Sequence, residues 1–378
     1  MSGRKISRSK LNSGMNRREF LGSSAMAASA FATGTAGFGT TAAWAQQKSI
    51  SAVLPGVVLT DETRAIIDKA TGIKVENVPY VSPTDTVAKL LAPGGTSRYD
   101  MMISNTFFVK GPILGAKAGD EKVRAFDLSK MPNANDLQPL FKDDMQTRNG
   151  KVYTIPIFWG YDSPIIRVDH IPEKEPLTQS WGVLFSDKYA GKTALRDDAY
   201  QSIMVTGLHL GHKDPAAMTQ SDLNEVKKFL ISKKKNFRTL WTKFGEAVNL
   251  MSSGEVWAMY GWMPMRAALA RDGFKVANAW PTDGLLVWNH AAFIPKDSPK
   301  GELAEQAVNA MLSTDFGVAL ARVLNYGPVT KAALAQFSAE EQSKLGIDVP
   351  SRNLALYQLK WPNDMNAWIE TWGAFKAA

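Results

Sequence analysis

Tyr153-Thr154-Ile155-Pro156-Ile157-Phe158-Trp159 is a run of aromatic and branched residues, and Gly160-Tyr161-Asp162-Ser163 separates it from a second, Pro164-Ile165-Ile166-Arg167-Val168. Short apolar runs bounded by turn residues read as buried strands. Upstream, residues 61–70 carry a helical pattern closed by Gly72, and Ile73-Lys74-Val75-Glu76-Asn77-Val78 alternates apolar with polar. Residues 84–91 predict a helix and residues 99–103 a strand. Downstream, residues 221–235, with Ser221 as N-cap, and 237–251 read as surface helices. Residues 256–260 and 291–295 read as strands, and residues 263–270, 302–312 and 316–324 as helices. Strands alternating with helices predict an α/β fold, and no internal repeat is visible.

At 378 residues the chain exceeds one small module. Its 45% hydrophobic and 21% charged residues are the mixture of a folded soluble protein. With no cysteine, disulfides, thiolate metal sites and thiol nucleophiles are excluded. The net charge of +8 hints at nucleic acid until it is located. Arg4, Lys5, Arg8, Lys10, Arg17 and Arg18 against Glu19 put +5 in residues 1–45, leaving +3 for the rest. Nucleic acid is therefore not an expected partner.

Those 45 residues have the order of an export address. Asn16-Arg17-Arg18-Glu19-Phe20-Leu21 follows a basic leader and precedes a weakly apolar stretch ending at Ala43-Trp44-Ala45. The arrangement resembles a twin-arginine signal peptide, although Asn16 and Gly22 depart from the usual pattern. The expected mature product is a periplasmic protein, exported by the twin-arginine route, with no later apolar run approaching a bilayer span.

Enzymatic signatures are missing. The four histidines, His170, His209, His212 and His290, complete no metal site. There is no G-x-S-x-G, no G-x-G-x-x-G and no phosphate loop, and no carboxylate pair stands out. No catalysis, metal or cofactor is expected. What stands out is 11 tryptophans. Trp159, Trp262 and Trp288 each close a strand-like run, and loops at strand ends are where ligands bind in open α/β sheets. Indole faces there suit alkyl-ammonium groups.

Several stretches resemble the spermidine/putrescine-binding periplasmic proteins of ABC transporters. They include Thr71-Gly72-Ile73-Lys74-Val75, Asn105-Thr106-Phe107-Phe108-Val109-Lys110, Ile155-Pro156-Ile157-Phe158-Trp159-Gly160 and Lys188-Tyr189-Ala190-Gly191-Lys192. Asp197-Asp198-Ala199, Gly254-Glu255-Val256 with Trp262, Trp288, Ile294-Pro295, Tyr326 to Pro328, and Trp361 with Asn363-Asp364 continue the match in order. The resemblance implies a two-lobed periplasmic binding protein fold (type 2), its lobes joined by crossing strands near residues 159–162 and 285–290. Lobe one would be residues 48–160 plus 288–330, and lobe two 161–287 plus 331–378. It also implies a small-molecule solute, an inner-membrane ABC permease as partner, and a monomer.

Carried over residue by residue, Asp198 stands where an aspartate pairs with a ligand ammonium, and Trp262 and Trp288 stand at the aromatic walls. Phe107 replaces a wall tyrosine, Gln201 a glutamate and His290 an aspartate; Pro55, Val58 and Pro362 also depart from the pattern. Asn105, Thr106 and Trp159, from the matching stretches, complete the expected ligand set. Asp162, in the crossing segment, is placed as an additional anion by its position. A buried diamine needs carboxylates for both ammonium groups, and two of three expected carboxylates are gone. A cationic or amphipathic amine is the expected solute, with a zwitterion or an acid, met by His290, as the alternative. An exported enzyme is the alternative of another class. Ferric capture would need neighbouring tyrosines that are not found.

Overall fold

A computed structural model describes residues 48–143, 145–359 and 361–378; the expected signal peptide lies outside them. Eight strands order the structure: β1 (Lys48–Val53), β2 (Ile73–Val78), β3 (Met101–Asn105), β4 (Ile155–Arg167), β5 (Thr193–Arg196), β6 (Phe237–Trp241), β7 (Ala258–Trp262) and β8 (Leu285–Pro295). They lie side by side in the order β2-β1-β3-β8-β4-β7-β5-β6. β2-β1-β3 and β7-β5-β6 are parallel, while β8 and β4 run antiparallel to each other and to their outer neighbours. Two parallel half-sheets, each needing helical cover, are thus bridged by two antiparallel strands.

Those bridging strands set the architecture. β4 has 13 residues and β8 has 11, against five or six in an ordinary strand. Each is long enough to belong to both halves. The turn residues at 160–163 predict a break in β4, and of β8 only residues 291–295 read as strand; both strands are continuous. Glycine and proline ordinarily signal a break, but every residue of β4 is buried, and all but Ile157, at the register shift, have a partner on a neighbouring strand. Pro156 sits where the β4/β8 register shifts, so its missing N–H interrupts no regular ladder.

Local signals explain most helix limits. Thr60 Oγ1 accepts the backbone N–H of Thr63 at 3.2 Å, starting helix Asp61–Thr71, and Gly72 ends it in the left-handed region at φ 67°. Helix Gln220–Lys233 begins from Thr219 through a reciprocal capping box with Asp222, so Ser221 is inside it, not its cap. Residues 237–251 are not one helix. Phe237–Trp241 is a strand beside β5 and Phe244–Ser252 is the helix; its aromatic and β-branched residues suit the pleated surface that β5 provides.

In the first half, helix Asp61–Thr71 packs on Gly301–Met311 and Thr314–Leu324. The tail divides: Lys331–Leu334 packs on Thr314–Leu324, whereas Met365–Ala377 packs on Gln220–Lys233 in the second half. Among the described residues, no single helix is long and apolar enough to cross a membrane.

Candidate functional site

Side-chain parity on the bridging strands builds the site. Successive strand residues face opposite sides, so Phe158, Gly160 and Asp162 share one face of β4. Register places Trp288 opposite Gly160, His290 opposite Phe158, and Trp262 of β7 opposite Asp162. Asp162, Trp262, Trp288 and His290 therefore converge on one side of the sheet, where they line a cavity of about 430 Å³. The close approach of indole to backbone depends on Gly160: a Cβ there would lie 2.6 Å from the Trp288 ring.

Asp162 is 1% exposed. Its Oδ1 accepts the Trp288 indole N–H at 2.9 Å, and its Oδ2 accepts the Tyr260 hydroxyl. Burial pushes its pKa up to about 6, although both donors favour the carboxylate. Asp198 is held differently. Its Oδ1 accepts the backbone N–H groups of Tyr200 and Gln201, both at 2.8 Å, at the head of helix Gln201–His209. The helix start thereby fixes this carboxylate while its Oδ2 stands 3.9 Å from Arg196 Nη2.

His290 is stacked on Phe158 at 4.9 Å between centroids and meets Trp288 at 5.5 Å. Burial lowers its pKa to about 3, so it is neutral, and its Nδ1 finds no hydrogen-bond partner among the described residues. The cationic role considered for it against an acidic solute does not fit this environment. Asn105 lines the cavity too, its Oδ1 accepting the Phe107 backbone N–H at 3.1 Å.

Seven expected residues, Asn105, Asp162, Asp198, Gln201, Trp262, Trp288 and His290, thus meet at one cavity. Three do not. Trp159 is three positions from Asp162 and so faces the other side, its Nε1 donating to the Pro328 carbonyl at 3.2 Å. Trp159 and Trp288 also lie within long strands rather than at strand ends. Thr106 is fully buried and donates to Asn289 Oδ1 at 2.6 Å. Phe107 turns with Trp159 into an apolar pocket behind the bridging strands, and its helical neighbour Phe108 lines the cavity instead.

Sequence reading missed Arg196, Tyr80, Phe108 and Tyr326. Tyr326 stacks on Phe158 at 4.8 Å, because Gly327–Pro328 pairs with Trp159 and Phe158. Burial raises the hydroxyl pKa of Tyr326, and that of Tyr80 to about 12, so both remain neutral donors. Phe108, from the first half, meets Tyr200 at 5.1 Å and Trp361 at 4.9 Å, both edge-on and both from the second half. This aromatic clasp joins the halves beside the cavity.

Two α/β halves, bridged by long strands and enclosing a solute-sized space lined by indoles and carboxylates, define a solute-binding protein of the two-lobed fold. The family model for bacterial extracellular solute-binding proteins matches residues 62–345, and the chain belongs to that family. It is 24% identical over 302 residues to spermidine/putrescine-binding periplasmic protein 1 of Haemophilus influenzae, covering 80% of each chain. It is 23% identical over 301 residues to the putrescine/agmatine-binding protein of Pseudomonas aeruginosa, covering 75% of this chain and 78% of that one. The spermidine/putrescine ABC transporter substrate-binding protein of Streptococcus pneumoniae superposes with a TM-score of 0.73 at 19% identity, covering 87% and 99%. The chain is a binding protein, not an enzyme.

Proposed function

We propose that this protein is the extracytoplasmic receptor of an ABC importer and that it captures a small organic amine in the cavity between its lobes. The observation that carries this reading is the Asp162 carboxylate, buried and held by Trp288 and Tyr260 at the cavity floor. A buried carboxylate with no cation bonded to it among the described residues is costly, and an ammonium against Asp162 and the Trp288 face would offset that cost. Amine-binding curated relatives support the same class.

Lobe one is residues 48–160 plus 288–330 and lobe two residues 161–287 plus 331–378, with Lys331–Leu334 packed against the first half. Solute contacts from both lobes favour the closed state, which the permease recognises. The seven converging residues contact the solute, while Thr106, Phe107 and Trp159 support the walls. The receptor acts as a monomer without nucleic acid, and residues 1–45 carry it out by the twin-arginine route.

Titration of the mature protein with a panel of small amines, followed by tryptophan fluorescence and calorimetry, tests the reading. Saturable binding that Asp162→Asn and Trp288→Ala each weaken at least tenfold is the expected result. Binding unaffected by both substitutions would reject the site, and no binding by any amine would reject the solute class.

A further inference from the structure

The cavity contains a cation of its own. Arg196, the last residue of β5, points its guanidinium over the Trp262 ring at 5.2 Å, the face an ammonium ligand would use. Among the described residues, the charged groups lining the cavity are Asp162, Asp198 and Arg196. With both carboxylates ionised and Asp198 already facing Arg196 at 3.9 Å, Asp162 is the carboxylate left to meet a ligand cation, and a diamine would leave its second ammonium unmatched beside Arg196.

The guanidinium is also under-bonded. Among the described residues, one of its five N–H donors is given to Gln201 Oε1, and the Asp198 carboxylate stands off at 3.9 Å. A planar fork with donors left over in a cavity is the partner that a carboxylate binds bidentately. Gln201 reinforces this: a carboxylate at that position would occupy the fork as an ion pair, whereas the neutral amide takes one N–H and leaves the charge in place.

We propose that Arg196 makes this cleft a site for an amino-carboxylate, whose ammonium sits against Asp162 and Trp288 and whose carboxylate sits on the Arg196 fork. The proposal rests on the amine-receptor reading and narrows its solute class. Asp162 and the Trp288 indole recognise the cationic end, Arg196 with Gln201 recognises the anionic end, and the alkyl spacer lies between aromatic walls. Arg196 is then the residue that discriminates against diamines, by repulsion as well as by attraction to the acid.

The test compares three probes at each chain length of four, five and six carbons: the ω-amino-carboxylate, the α,ω-diamine and the n-alkylamine. Binding to the full mature protein is measured by calorimetry. At the best length, the amino-carboxylate is expected to bind at least tenfold tighter than either other probe. Arg196→Gln should cost it at least tenfold while improving the diamine. Arg196→Lys, which keeps the charge and loses the fork, should weaken the amino-carboxylate yet still exclude the diamine, and it serves if Arg196→Gln does not fold. A wild-type protein that prefers the diamine or binds the alkylamine equally well overturns the proposal and leaves the amine receptor standing. So does an Arg196→Gln variant that weakens all three alike. Binding of none of the probes overturns both.

Discussion

The indole N–H of Trp288 donates to Asp162 Oδ1 at 2.9 Å, tying one bridging strand to the other on the face that lines the cavity. A hydrogen bond to a charged group contributes about 1.5–3 kcal/mol. Trp288→Phe keeps an aromatic wall and removes the donor. Its expected effects are a loss of roughly that stability in urea melts and a midpoint for the pH dependence of binding above that of wild type.

Amine affinity should fall as pH drops through about 6, because a protonated Asp162 no longer attracts an ammonium. Calorimetric titration between pH 5 and 8 reads this directly. A flat profile for wild type, or an unchanged one in Asp162→Asn, would contradict it.

The same two buried groups act on stability with opposite signs. Asp162 has a folded-state pKa near 6 against an ordinary 3.8, so its proton favours the folded state, a contribution present below 3.8 and lost as pH rises through 6. His290 is depressed from 6.5 to about 3, so its contribution is complete above 6.5 and is lost as pH falls toward 3. Each amounts to about 2 kcal/mol between pH 4 and 6, and they offset one another in the wild type. Asp162→Asn should therefore expose stability that falls on acidification, and His290→Gln stability that rises, as read from urea midpoints in the solute-free protein.

Gly160→Ala is expected to cost about 1–3 kcal/mol, the penalty of overpacking, since the new methyl would meet the Trp288 ring at 2.6 Å. The displaced indole should also alter the ligand-dependent fluorescence change. A variant with wild-type stability and signal would show that the ring is not held where the strand register places it.

Phe108→Ala removes the wedge between Tyr200 and Trp361 that joins the halves. Solution scattering should show a more open solute-bound form, with affinity lowered several-fold mainly through faster release. Unchanged dissociation kinetics would exclude a role in closure.

The Arg17-Arg18 pair can be tested by fusing residues 1–45 to a folded reporter. Export should require both arginines and stop on substitution by lysines.

Signals confined to a few neighbouring residues were fully present in the sequence. Thr60 and Gly72 bound their helix, alternation marks residues 73–78, and the order of strands and helices gives the α/β class. Six cavity residues were legible from the family resemblance and a seventh, Asp162, from its position in the crossing segment. What only the tertiary structure decided is lateral register between strands far apart in the chain. Parity along continuous β4 sends Trp159 behind the sheet and Asp162 into the cavity, and pairing with β8 brings Trp288, 126 residues away, onto that carboxylate. Nothing in the sequence around Arg196 singles it out, and it becomes a cavity residue only because β5 lies beside β7, placing its guanidinium over Trp262. Chain-local chemistry selects an element and its limits, whereas the face it presents depends on neighbours that the fold alone supplies.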